Sequence, residues 1–230
     1  MRSRLYSLAA AAALTLAAAP AFGQVTVGTN SSGNCFPFDC GAITGYQEIY
    51  NASAFGTNPF LINTIGYFTN LTFGPTSYNG SDATLVIGTT SVAPNAIGNI
   101  GSNPISNAAT FLTGVTLSGT VNNPVFGGTP YLYNPLLGNL ILYWTFSVPG
   151  SYAYSNGFMQ ADYTCDGTIS RAWNSNVEGN SSSCDGALVT QFNGTNPVTF
   201  GAAPEPATLA LLGTGLLGIG LARRRRNKTA

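Results

Sequence analysis

In the stretch NLILYWTFSV, residues 139–148, Leu140, Leu142, Trp144, Phe146 and Val148 fall on one parity, and Ile141, Tyr143, Thr145 and Ser147 on the other. Alternation of period two marks a strand, whose successive side chains point to opposite faces. Both parities begin apolar, so this strand is expected to be central and covered on both faces. Trp144 should lie in the core, with Leu142 and Phe146 flanking it. Neighbouring segments repeat the pattern. Phe111, Thr113, Val115, Leu117 and Val121 share one parity, with Thr116, Ser118 and Thr120 on the other. Leu85 and Ile87, and Leu188 and Phe192, give shorter versions. Strands are predicted near 46–50, 60–69, 83–90, 111–121, 139–148, 158–164, 168–173, 187–192 and 197–200.

Turn chemistry separates them. Asn79-Gly80, Asp166-Gly167, Asp185-Gly186, Asn193-Gly194 and the prolines at 94, 104, 124, 130, 135 and 149 all read as turns. NAIGNIGSNPISN, residues 95–107, is loosely repetitive and reads as a long loop between two strands. No lysine occurs between Gln24 and Pro204, and no stretch there shows 3.6-residue apolar spacing, so helix is a poor reading of the body. Many short strands with Gly, Asn and Pro turns imply an all-β fold, an antiparallel β-sandwich or jelly roll.

The chain has 230 residues, with eight basic and eight acidic side chains. The balance hides a segregation. Between Gln24 and Pro204 a single base, Arg171, faces Asp39, Glu48, Asp82, Asp162, Asp166, Glu178 and Asp185, a net charge of −6. Such a body cannot neutralise a run of phosphates, which excludes nucleic acid as a main partner. Arg171 is expected to matter only where it meets a buried acid. Histidine is absent, which removes Ser-His-Asp and Cys-His catalysis, His-ligated zinc and a histidine pH switch.

Both termini read as addresses. In residues 1–23, Arg2 and Arg4 precede an apolar run from Leu8 to Ala19, and Pro20 ends it. Ala21-Phe22-Gly23 then offers small residues before a cut at Gln24, the pattern of a secretory signal peptide. At the other end Pro204-Glu205-Pro206 is followed by sixteen uncharged residues, Ala207 to Ala222, and then by Arg223, Arg224, Arg225 and Arg226. As a helix the uncharged run would measure roughly 24 Å, slightly short of a hydrocarbon core, which snorkelling arginines or local thinning can accommodate. The arginines stay cytoplasmic and the body faces outward.

Pro-Glu-Pro, a Leu/Gly-rich span and a terminal arginine cluster resemble the PEP-CTERM sorting signal of Gram-negative bacteria. The resemblance implies recognition by an exosortase, a membrane-embedded cysteine transpeptidase-like enzyme that cuts near Pro-Glu-Pro. Pro204, Glu205, Pro206 and Arg223 to Arg226 are then substrate residues. The two prolines keep the tripeptide extended and outside the helix, as a protease groove requires. The implied route is export, an inner-membrane intermediate, and then the cell envelope, surface or extracellular matrix. YQEIYNASAF (46–55) and YNPLLGNLILYW (133–144) also resemble a recurrent sandwich ectodomain of PEP-CTERM proteins. Those relatives carry an acid near the position of Tyr143, where this chain has none. The domains expected are a signal peptide (1–23), a β-sandwich ectodomain (24–202) and a sorting segment with a transmembrane helix (203–230).

Export places Cys35, Cys40, Cys165 and Cys184 in an oxidising compartment, where sequence proximity favours the disulfides Cys35–Cys40 and Cys165–Cys184 among three possible pairings. A zinc site built from all four lacks C-x2-C knuckles. Three chemistries remain to be weighed. Asp162 with Glu178, or Glu48 with Asp82, offers a carboxylate pair for glycoside hydrolysis. Asp162, Asp166, Glu178 and Asp185 surround the Cys165–Cys184 loop with oxygen ligands suited to structural calcium. Tyr131, Tyr133, Tyr152, Tyr154 and Trp173 offer sugar-stacking faces for a carbohydrate-binding, lectin-like module. No residue is assigned as catalytic and no cofactor as required. The leading expectation is a non-enzymatic exported sandwich with a structural or interaction role. Its partners would be an exosortase, the membrane during sorting and extracellular polysaccharide. A carbohydrate-binding module is the alternative and a secreted glycoside hydrolase the third reading.

Overall fold

A computed structural model describes residues 23–38, 43–72, 76–147, 158–175, 179–182, 186–193 and 199–200. They belong to one compact unit, Phe22–Ala202; a second unit, residues 1–21 and 203–230, lies outside the described residues, as do the expected signal peptide and membrane span. In chain order the strands are β1 (Val25–Val27), β2 (Ser32–Asn34), β3 (Ile43–Tyr50), β4 (Phe60–Tyr67), β5 (Thr76–Thr90), β6 (Ser106–Val121) and β7 (Val125–Tyr133). There follow β8 (Asn139–Phe146), β9 (Met159–Asp162), β10 (Ile169–Ser175), β11 (Gly179–Ser182), β12 (Ala187–Leu188), β13 (Thr190–Phe192) and β14 (Thr199–Phe200). Short 3-10 turns stand at Ala52–Phe55, Pro94–Ala96 and Pro135–Leu137.

The fold is all-β. A six-stranded sheet has the order β11-β10-β3-β8-β5-β6 and a five-stranded sheet the order β1-β13-β4-β7-β14. A small sheet, β12-β9-β2, adjoins them. Pairing is antiparallel except between β14 and β7, which run parallel. The two large sheets meet face to face through aromatic rings. The indole of Trp144 on β8 lies 5.0 Å from the Phe126 ring on β7 and 5.6 Å from that of Phe38. Its Nε1–H donates to Tyr67 Oη on β4 at 2.9 Å, so the one polar atom of the indole has a buried partner.

β8 is central in its sheet, and Leu140, Ile141, Leu142 and Trp144 are all fully buried. One face turns to the other sheet. The second is covered by the 91–105 connection, whose Val92, Ile97, Ile100 and Ile105 pack on Ile49, Ile141 and Ala172. Asn103 fastens this cover. Its Nδ2 donates to Gln47 Oε1 at 2.9 Å and to the Gly98 carbonyl at 2.9 Å, and its Oδ1 accepts from Gly98 N–H at 2.7 Å.

Two expectations are corrected. Asn79-Gly80 is not a turn; it lies inside β5, where the pairing with β6 shifts register between Asn79 and Asp82. β5 and β6 form a long ribbon with four such irregularities, and bulges of this kind bend an edge ribbon and blunt it against further pairing. The segment with Pro130 and Gly127-Gly128 is not loop but β7, paired with β4, while Pro124 stays in the turn before it. The register passes from Ile62↔Tyr131 to Thr64↔Gly127, so Pro130 sits in a bulge where no ladder N–H is needed. Asn63 N–H, which the bulge frees, donates to Asn193 Oδ1 at 2.7 Å. Gly128 is required there: a Cβ would collide with the Phe111 ring and carbonyl on β6.

Replacing Trp144 by Ala removes the ring that joins the sheets and leaves Tyr67 Oη without its donor. It should cost about 3–5 kcal/mol, read as a lowered urea midpoint. Asn103→Ala should speed amide exchange in 91–105 while exchange along β8 keeps its wild-type rate. A variant whose whole body exchanges faster would show that the cover and the sandwich unfold together.

Candidate functional site

Tyr46, Glu48 and Tyr50 alternate along β3, so all three side chains face the sandwich interior. Glu48 is fully buried. Its Oε1 accepts from Tyr46 Oη at 2.9 Å and from Leu188 N–H at 2.6 Å, and its Oε2 lies 2.6 Å from Tyr50 Oη. Tyr50 Oη lies 2.8 Å from Thr190 Oγ1, which donates to the Leu188 carbonyl at 2.8 Å. Three links run from Oε2 to that carbonyl and need three hydrogens. The two hydroxyls supply two, and a protonated carboxyl supplies the third. The neutral acid therefore satisfies the whole chain, and the ionised one leaves a link without its proton.

The electrostatics agree. Burial pushes the Glu48 carboxyl up from 4.5 to about 7, against the opposing pull of its donors and of Arg171. Burial also raises Tyr46 and Tyr50, with the Glu48 charge adding to it, so both hydroxyls keep their protons. Arg171 on β10 stands opposite Glu48 in register and is buried. Its guanidinium lies 4.3 Å from the centre of the Trp173 ring and 5.8 Å from that of Phe36. The single base of the body thus stands in register with a buried acid and acts on it at a distance, through its charge.

Glu48 and Asp82 do not assemble as a carboxylate pair. Glu48 is level with Leu142 on β8 and, through it, with Ile87 on β5; Asp82 lies five residues further along β5. That is about 17 Å of strand, well beyond the 5–9.5 Å used by glycosidase pairs. Asp82 accepts instead from Thr116 Oγ1 at 2.6 Å. Asp162 takes hydrogen bonds from Thr29 N–H, Thr164 N–H and Thr164 Oγ1 at 2.7, 2.8 and 2.6 Å. Asp166 closes a turn by accepting from Thr168 Oγ1 and N–H at 2.6 and 2.9 Å, and these bonds hold its carboxyl below the usual value. Glu178 and Asp185 lie outside the described residues. Among the described residues no three His, Cys, Asp or Glu side chains are placed to share a cation. Cys35 and Cys165 are disulfide-bonded. Cys40 and Cys184, the partners expected for them, lie outside the described residues.

Two of the sugar-stacking candidates turn inward. Tyr131 and Tyr133 are buried, and their hydroxyls donate to the carbonyls of Asn107 and Gly138 at 3.2 and 2.8 Å. Trp173 is half-buried beneath Arg171, and Tyr152 and Tyr154 lie outside the described residues. Among the described residues the exposed large apolar side chains are others: Leu71, Leu132, Leu136, Leu137 and Tyr163. Sequence reasoning missed them because parity gives alternation without telling which face a second layer covers. The buried Glu48 was also missed as a core residue, although Tyr46 and Tyr50 on its own parity were the signal.

Residues 202–226 match the PEP-CTERM protein-sorting motif, which contains Pro204, Glu205, Pro206 and all four arginines. The chain is an exosortase-targeted, exported protein. No curated protein and no solved structure matches it. Among the described residues no helix is long and apolar enough to cross a membrane, and the expected span, 207–222, lies outside them.

Glu48 gives the body a pH dependence of definite sign. Its folded value lies above its unfolded one, so the folded state holds the proton more tightly. The stability from that proton is complete below about pH 4.5 and is lost as pH rises through about 7, on the order of 3 kcal/mol in all. Urea midpoints should fall from pH 5 to pH 8, and Glu48→Gln should flatten that part of the profile. A wild-type midpoint that rises across the window would contradict the neutral acid.

Proposed function

We propose that this is a non-enzymatic exported protein whose sandwich serves a structural or interaction role in the cell envelope, surface or extracellular matrix. The observation that supports this reading is that the body's described acids are taken up by its own hydrogen bonds, Glu48 and Asp162 in buried positions and Asp166 in an exposed turn. Glu48, Asp162 and Asp166 each hold hydrogen bonds from the protein's own groups, and the Tyr131 and Tyr133 rings are interior. A hydrolase needs acids with differing environments aimed at one bond in a cleft. A lectin needs aromatic faces open to solvent. Signal peptide, membrane span and the disulfides Cys35–Cys40 and Cys165–Cys184 belong to the same reading, as the export route and its oxidising compartment require. Extracellular polysaccharide is the partner expected in the matrix.

Glu205→Ala, or removal of Arg223 to Arg226, should leave an unprocessed membrane-bound form in the native host. A fractionation blot showing wild-type mobility and location for both variants would sink the role assigned to these residues. Polysaccharide-degradation screens on secreted protein should show no activity. Activity that disappears with a single Asp or Glu to Ala change would replace this reading with the hydrolase, and selective signal on a glycan array would replace it with the lectin.

A further inference from the structure

We propose that the end of the sandwich bearing Leu132, Leu136 and Leu137 is a lipid-contact surface, resting on the outward face of the inner membrane while the sorting tail is attached. The proposal rests on the exosortase-sorting reading and adds a surface to it. Leu132, on β7, is 64 % exposed; Leu136 and Leu137, on the 3-10 turn that follows, are 75 and 60 % exposed. Leu61, paired with Leu132 across β4, is half-buried and extends the apolar strip. Single exposed leucines are ordinary, but three within six residues form a patch. No charged residue occurs from Val125 to Phe146.

The chain's own course says what covers this end. β14 runs parallel to β7, with Phe200 opposite Phe126, so the chain leaves the sandwich heading toward the Tyr133 end. Six residues, 201–206, separate Phe200 from the uncharged span, a reach of at most about 20 Å. Leu132 is level with Leu61, four positions along β4 from Ile65, the partner of Phe126, a distance of about 13 Å. The chain also enters here. β1 begins at Val25↔Phe192, and a Cβ on Gly23 would lie 3.7 Å from the Phe60 ring, at the start of β4. Three connections at this end, 51–59, 91–105 and 134–138, contain no charge. Among the described residues, the exposed charge there is Asp166, in the turn leading to β10. An uncharged leucine-bearing surface facing a bilayer needs only to enter the headgroup boundary, about 5–10 Å deep, to bury its apolar area.

The opposite end supplies a control in Leu71, which is 85 % exposed and follows the other end of β4. Full-length Leu136→Trp and Leu71→Trp variants, reconstituted into vesicles of phosphatidylethanolamine and phosphatidylglycerol, would be quenched with lipids brominated near the headgroup. The native Trp144 and Trp173 signal is subtracted with wild type. Quenching several-fold stronger at 136 than at 71 is expected. Equal quenching at both positions, or none at 136, overturns the proposal. Shielding at 136 that depends on protein concentration and not on lipid also overturns it and assigns the face to a second copy of the chain. Exosortase sorting is scored separately, by fractionation of Glu205→Ala in cells. That substitution leaves the quenching ratio untouched, so failure of one reading does not imitate failure of the other.

Discussion

A strand that is apolar on both faces must be covered twice, and β8 sets this constraint for the whole body. In a two-layer sandwich a strand normally buries one face and wets the other. Leu140, Leu142 and Trp144 face the five-stranded sheet, and Ile141 faces away from it. The second face would lie in water if the 91–105 connection did not fold back over it. That connection contributes isoleucines at 97, 100 and 105, and places three branched side chains over one patch. Gln47 and Asn103, both buried, pair with each other there, so the cover is fixed by a polar pair inside an apolar contact. Leaving either of them alone would strand a buried amide, which makes the pair a device for position as much as for stability.

The same logic explains the interior of the sandwich. An all-apolar parity on β3 would have read Tyr, apolar, Tyr; the chain has Glu48 in the middle. A carboxylate there would demand a full counter-charge in low dielectric. Arg171 stands opposite, yet its guanidinium lies over the Trp173 ring. Neutralising the acid is the less costly solution, and the proton count along Glu48, Tyr50, Thr190 and Leu188 favours it on geometry alone. The links cross from β3 to β12 and β13, so the network connects the six-stranded sheet with the small sheet and the five-stranded sheet. Polar groups satisfied in this way specify which strand lies against which, since any slip of register would leave several of them unpaired.

The strands with clean period two were legible: β8 and the core portions of β5 and β6 stand close to where alternation put them, β3 and β10 overlap the strands expected at 46–50 and 168–173, and Trp144 is central. β7 was not legible, because Pro130 and a Gly-Gly pair within it, with Pro124 and Pro135 close on either side, are loop chemistry on any local reading. It is a strand because β4 supplies a ladder on one side and because its bulge places Pro130 where no N–H is required. Local propensity lost to tertiary pairing there, as it did at Asn79-Gly80 inside β5. β1, β2 and β11 have no more than four residues each and carry too short a pattern to read. At the candidate site the residue types were visible and their facing was not. Tyr131 and Tyr133 share a parity with exposed neighbours on either side, and only the presence of β6 and the Pro135–Leu137 turn makes that parity interior.

The charge segregation visible in the sequence has a structural counterpart. With one base in the body, and that base buried, the described surface presents no positive side chain. An anionic glycan or lipid headgroup therefore finds no basic side chain to pair with among the described residues, and attraction to a bilayer has to come from apolar area or from the tail. The leucines at 132, 136 and 137 supply that area at the end toward which β14 directs the chain, while Leu71 stands alone at the other. A purely apolar contact of this size is weak and reversible, because three partly inserted side chains contribute only a few kcal/mol before the ordering of lipid and protein is subtracted. Weakness suits a surface needed only while the tail is attached: it can orient the body during that interval and lets go once the covalent anchor is gone.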